Sequence, residues 1–145
     1  MPSRDKRILA LDLGRRRIGV AVSDPAHTLA QPLCVIERKN RDHDLRAIRD
    51  LAREQQAGLI VVGLPRQADD SLTPAGQAML RFARRLQRML SLPVETVDEW
   101  ETTVEATQVL LQADVSRQGR RRVVDKVAAG LILKRYLEHG GERLR

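Results

Sequence analysis

The sequence predicts a three-layer α/β domain built on a mixed five-stranded sheet. Three observations carry this expectation. Residues 7–13 and 18–23 are apolar strands joined by the short turn Gly14-Arg15-Arg16-Arg17, which makes a hairpin. Leu59-Ile60-Val61-Val62-Gly63 is a continuous apolar run, the pattern of a parallel strand covered on both faces. Stretches with helical spacing stand before and after it, at residues 42–56 and 74–90, so helices make the crossovers.

The elements follow in order. Ser23-Asp24-Pro25 ends the hairpin, and Leu33-Cys34-Val35-Ile36-Glu37 is the third strand. Leu45, Ile48, Leu51 and Ala52 form the apolar side of the first helix, with Gly58 as its stop. A polar loop from Arg66 to Ser71 leads to a helix with Pro74 at an early position. Its core face is Met79, Phe82, Ala83, Leu86 and Leu90. Residues 93–99 form the fifth strand, and Thr102-Thr103-Val104-Glu105 is a capping box opening a helix to about Leu111. A loop at 113–119 precedes the last helix, 121–139, which stops at Gly140-Gly141. There is no repeat and no linker, so residues 1–145 are expected to form one domain.

Composition narrows the function. Apolar stretches such as Val127 to Leu133 are too short to span a bilayer, so no membrane partner is expected. The charged N-terminus is not followed by a signal-peptide core, which predicts a cytoplasmic protein. Cys34, the only cysteine, can form neither an internal disulfide nor a thiolate metal cage, and its apolar flanks predict a small core residue. Lys and Arg number 26 against 19 Asp and Glu, a net charge of +7, and the arginines cluster at 15–17 and 120–122. That balance favours a polyanionic partner, and arginine is the better phosphate fork. Aromatic residues are limited to Phe82, Trp100 and Tyr136, too few for base-stacking platforms. A nucleic acid would therefore be held through its backbone and shape.

Three acids are placed for chemistry. Asp12 interrupts the apolar strand Ile8-Leu9-Ala10-Leu11-Asp12-Leu13, where a carboxylate needs a compensating partner. Glu99 lies at the carboxyl end of a strand, where sites form in open α/β sheets, and alternation turns Asp98 to the other face. Asp125 shares a helix face with the apolar Ala129 and Ile132. Read alone, Asp125 fits equally well as a first-turn acid complementing the helix dipole. However, three arginines at the same helix start oppose that dipole, which suggests substrate backbone beside a metal. Carboxylates without a His or Cys cluster suit a hard ion, Mg²⁺ or Mn²⁺. His27, His43 and His139 are expected at the surface.

Several segments together resemble the YqgF family. Asp12-Leu13-Gly14 with Arg17-Ile18-Gly19-Val20-Ala21-Val22-Ser23-Asp24 resembles its opening motif, and Val62-Gly63-Leu64-Pro65 its central one. Asp98-Glu99 with Thr102-Thr103-Val104-Glu105-Ala106 resembles the third, and Arg122-Val123-Val124-Asp125-Lys126-Val127-Ala128-Ala129 the last. The matches stand in family order across nearly the whole chain. The resemblance implies an RNase H-like fold related to the Holliday-junction resolvases. It also implies a metal-dependent nuclease with Asp12, Glu99 and Asp125 as the acidic triad. Two substrates are implied: four-way DNA junctions, or the 5′ end of pre-16S ribosomal RNA. Trp100 stands where the family usually has Arg, and Ala68-Asp69-Asp70 replaces a Met-Asp-Gly, departures that touch substrate contacts rather than the triad.

On this reading Arg16, Arg17, Arg66, Arg121, Arg122 and Lys126 hold phosphates. Junction resolution takes two symmetric cuts and so requires a homodimer, whereas RNA trimming does not. Two other classes remain open. One is a non-catalytic nucleic-acid-binding module of ribosome assembly. The other is an ATPase of the actin and sugar-kinase type, which shares the Asp-Leu-Gly hairpin but needs two such domains.

Overall fold

The computed structural model describes residues 6–65, 71–98 and 117–144, with side chains of the last segment from Val124 onward. Strands β1 (Arg7–Leu13), β2 (Arg17–Ser23) and β3 (Ala30–Glu37) form an antiparallel meander. Helix α1 (Arg41–Glu54) crosses to β4 (Ala57–Leu64), and α2 (Pro74–Leu90) crosses to β5 (Val94–Asp98). The long helix α3 (Arg117–His139) and the short β6 (Glu142–Arg143) complete the described chain. The sheet order is β3-β2-β1-β4-β5-β6, with β1, β4 and β5 parallel to one another.

Strand alternation sorts the core into two layers. Leu9, Leu11 and Leu13 of β1 and Val20 and Val22 of β2 pack with Leu45 and Ile48 of α1 and Phe82 and Leu86 of α2. The intervening residues Ile8, Ala10 and Ala21, with Leu59, Val61 and Val97, meet Ala129, Ile132, Leu133 and Tyr136 of α3. Helices therefore cover both faces, as expected for β4, whose Leu59 to Val62 are all buried.

Four expectations need correction. The sheet has six strands rather than five, because Glu142 and Arg143 pair with β5; two polar residues carry no periodic signal. Strand β3 begins at Ala30 rather than Leu33 and runs through Pro32, where the β2–β3 register shifts. Proline is tolerated there because β3 is an edge strand and the slip needs no donor. Gly58 does not stop α1. The helix ends at Gln55, Gln56 takes the left-handed φ of 55°, and Gly58 lies inside β4. Helix α3 starts at Arg117, inside the expected loop, and the helix expected at 102–111 lies outside the described residues. Cys34 is half-buried against the α1 side of the core, and burial pushes its thiol up.

One brace ties the site-bearing turn to the helices. Asp44, in the first turn of α1, is only 2% exposed. Arg38 Nε donates to its Oδ2 at 3.0 Å, the Lys39 N–H donates to Oδ1 at 3.1 Å, and His43 Nδ1 lies 3.0 Å from Oδ1. The same Arg38 donates to the Gly14 carbonyl at 2.8 Å and lies 5.2 Å from the Phe82 ring centroid, within cation–π range. His43 is thus a structural partner rather than a plain surface group. Burial pushes the Asp44 carboxyl up, but the bonds from His43, Lys39 and Arg38 outweigh it, and its pKa is lowered. The ionised form therefore stabilises the fold above the ordinary value of 3.8 and stops doing so as pH falls through the lower folded value. Replacing Asp44 with Asn should cost about 1.5–3 kcal/mol at neutral pH, the range for hydrogen bonds to a charged group. Urea titrations should show that gap narrowing below pH 3.8.

Candidate active site

Asp12 lies toward the carboxyl end of β1, where sites usually form in such folds. In β1, Ile8 and Ala10 face α3, and alternation puts Asp12 on the same side. Asp12 is half-buried, in contrast to Leu11 and Leu13 beside it, which are enclosed in the other layer. The sequence suggested a fully buried carboxylate. It is half-buried instead, while Ile8 and Ala10 before it on the same face are fully enclosed.

Across the hairpin Asp12 is paired with Gly19. Gly19 has no side chain, and the backbone of Asp125 sits in the space a Cβ would take, with the Asp125 carbonyl as nearest neighbour. Helix α3 thus lands on β2 at this point and brings Asp125 beside the cross-strand partner of Asp12. An isolated glycine within an apolar strand signals such a close backbone approach, and the sequence reading passed over it. On the other side of β1, Gly63 continues the register in which Leu11 pairs with Val62, and it too adds no side chain beside Asp12.

Arg17, which shares the α3 face with Gly19 and Ala21, closes the arrangement. Its Nε donates to Asp125 Oδ2 at 2.7 Å, with both side chains about one-fifth exposed. Arg17 and Asp125 thus form a charge pair over the α3 face of β2, with one Asp125 oxygen engaged. Among the described residues no group of three or more metal-ligating side chains converges. The third acid of the expected triad, Glu99, follows directly on β5 and lies outside the described residues, as does Arg66. Glu95 and Val97 of β5 do face α3: Tyr136 Oη donates to Glu95 at 2.9 Å, and Val97 packs in the α3 layer.

The other expected phosphate contacts are dispersed. Arg16 is exposed on the β1–β2 turn, where its carbonyl accepts from the Arg38 N–H at 2.9 Å. Together with Arg15, Glu37, Arg38, Lys39 and Arg41 it lines a cleft of about 540 Å³ beside the site. Lys126 approaches β3, near enough to Cys34 to oppose the upward push of burial on that thiol. Arg121 and Arg122 belong to the first turns of α3, and their side chains lie outside the described residues. His27 contacts the Lys6 carbonyl at 2.7 Å and His139 is exposed, so neither belongs to the site.

Comparison with known proteins identifies the family. The RuvX family, described as a Holliday junction resolvase, matches residues 6–139. The chain belongs to this family. It is the one the sequence motifs resemble under the name YqgF. Membership makes the protein a nuclease, with nucleic acid as its partner. A Moorella thermoacetica protein named "Putative pre-16S rRNA nuclease" is 48% identical over 136 residues, covering 94% of this chain and 97% of that protein. A Thermoanaerobacter pseudethanolicus protein of the same name is 44% identical, covering 91% and 96%. Among solved structures, Thermus thermophilus RuvC in complex with a Holliday junction superposes with a TM-score of 0.61 at 13% identity, covering 96% and 99% of the two chains. The fowlpox virus Holliday junction resolvase gives 0.54 at 16% identity, covering 91% and 98%. These likenesses establish the RNase H-like fold.

Gly19→Ala tests the seat of α3. A methyl group there would overlap the Asp125 carbonyl, so α3 must move away from β2. Overpacking of this kind costs about 1–3 kcal/mol, read by urea denaturation, and nuclease activity should fall with it. Unchanged stability would mean that α3 does not rest on this glycine.

Proposed function

We propose that the protein is a divalent-metal-dependent endonuclease in which Asp12, Glu99 and Asp125 hold the ion. The observation that supports this reading is the packing of the Asp125 backbone on Gly19, the cross-strand partner of Asp12. Donors that are carboxylates, without His or Cys, fit a hard ion, Mg²⁺ or Mn²⁺. Hard ions of this kind commonly work in pairs in phosphodiester chemistry, where one would supply an activated water and the other would stabilise the leaving oxygen. The chain's own residues align the backbone. The Arg17 guanidinium neutralises Asp125 while no cation is bound, and is then available to a substrate phosphate once a metal takes over that carboxylate. Arg16 and the cleft beside it continue the basic surface past the hairpin turn.

The proposed substrate is the 5′ end of pre-16S ribosomal RNA, supported by the names of relatives that match almost end to end. Four-way DNA junctions are the second reading, favoured by the family description. That reading carries the homodimer with it, since two symmetric cuts need two active sites. Family membership supports the nuclease over the ATPase and the non-catalytic module.

Asp12→Asn should abolish cleavage in Mg²⁺ or Mn²⁺ and leave nucleic-acid binding within about twofold, measured on a labelled pre-16S 5′ fragment and a four-way junction. Full activity of that variant would end the proposal. Neutralising Arg120, Arg121 and Arg122 together should weaken binding and flatten its salt dependence by about 0.7–0.9 for each lost phosphate contact. An unchanged slope would remove that run from the binding surface.

A further inference from the structure

The outer face of α2 carries a charge pattern that neither the core nor the active site uses. Arg81, Arg84, Arg85 and Arg88 recur at i, i+3, i+4 and i+7, and all four are exposed. They form one ridge along the helix, roughly 10 Å long at 1.5 Å rise per residue. None makes a hydrogen bond or ion pair with the described residues. The helix contains no Asp or Glu in its 17 residues.

The neighbouring helix is an internal control. Helix α1 alternates Arg41, Arg46, Arg49 and Arg53 with Asp42, Asp50 and Glu54 on its outer face, besides the buried Asp44, so both signs are present. An ordinary solvated helix face in this protein therefore mixes signs. The ridge on α2 does the opposite, stacking like charges where they repel one another. A fold selected for stability alone has no use for it. A polyanion lying along the ridge would remove the repulsion.

The ridge is not a membrane-insertion face. The exposed large apolar residue on α2 is Met89, at 39%, alone beside four guanidinium groups. With so few aromatic residues, contact by base stacking is also disfavoured. What fits four exposed guanidinium forks in a row is a run of phosphates.

Helix α2 covers the face of the sheet opposite α3, and its first turn approaches the carboxyl end of β4 at Pro65. From that end the ridge leads away from the catalytic edge. We propose that it is a second nucleic-acid contact, which takes the sugar–phosphate backbone of a substrate arm running behind the sheet while α3 and the hairpin turn hold the arm being cut. This inference rests on the nuclease reading for its substrate, but its readout is binding, so the two can fail separately. Recognition at the ridge is independent of base sequence and depends on the length of the substrate.

The test compares the full-length protein with a quadruple variant, Arg81→Gln, Arg84→Gln, Arg85→Gln and Arg88→Gln, and with the matching quadruple Lys variant. Binding is measured by fluorescence anisotropy over a salt series. The probes are a long-armed four-way junction, a pre-16S 5′ fragment and a short single-stranded oligonucleotide. The Gln variant should bind the long substrates at least tenfold more weakly at low salt. Its salt slope should be smaller by about 0.9 for each arginine that meets a phosphate of duplex DNA. Binding of the short oligonucleotide should not change. The Lys variant should keep the slope. The Gln variant should melt at or above the wild-type temperature, since repulsion has been relieved. Equal affinity and slope for wild type and Gln variant on long substrates overturns the proposal. So does loss of binding only to anionic phospholipid vesicles, which would make the ridge a membrane surface. If wild type cleaves none of the substrates yet the Gln variant still loses binding, the nuclease reading fails and the ridge stands.

Discussion

The site depends on one contact, the landing of α3 on the backbone of Gly19. Among the described residues α3 is the helix that covers its side of the sheet, and its apolar residues Ala129, Ile132, Leu133 and Tyr136 hold it there. Hydrophobic burial is not directional, so it cannot by itself fix the helix to within a fraction of a turn. The absence of a Cβ at Gly19 does so, by admitting the Asp125 backbone at one position. Because Gly19 is the partner of Asp12 in the hairpin, the same contact sets Asp125 beside that partner. On the proposed function, packing and catalysis would share one constraint.

Electrostatics then explain how a basic protein tolerates acids at this edge. Asp125 is paired with Arg17, and the hairpin turn that carries Arg15 and Arg16 is anchored by Arg38, itself held by the buried Asp44 and the Phe82 ring. Bonds from Arg38 to the Gly14 and Arg16 carbonyls hold the turn on which Arg15 and Arg16 are exposed. The arginines that hold the fold and those that face solvent are distinct. Arg38 is committed to structure, whereas Arg16 and the α2 ridge are exposed and are the groups proposed to meet phosphates.

Much of this was legible in the sequence because it rests on period. The hairpin, the buried β4 run and α2 with Pro74 at its start follow from alternation, apolar continuity and capping chemistry. Asp12 and Asp125 could be picked out as polar residues on otherwise apolar faces. What could not be read depends on tertiary contact. The two-residue β6 has no pattern of its own, and Gln56 rather than Gly58 takes the left-handed conformation. The role of Asp44 emerges only when Arg38, Lys39 and His43 surround it. The Arg17–Asp125 pair spans 108 residues, and no local rule links its ends. Gly19 did carry a local signal, a glycine within a strand, though its partner lies on a distant helix.

The central claim, that Asp12 and Asp125 act as a single cation site, is tested most directly by a double-mutant cycle on metal affinity. Mn²⁺ would be titrated calorimetrically into wild type, Asp12→Asn, Asp125→Asn and the double variant. If the two acids hold one ion, each single substitution removes most of the affinity, and the double variant loses little more than either single one. Losses that add as though the residues were independent, or wild-type affinity in either single variant, would contradict the account.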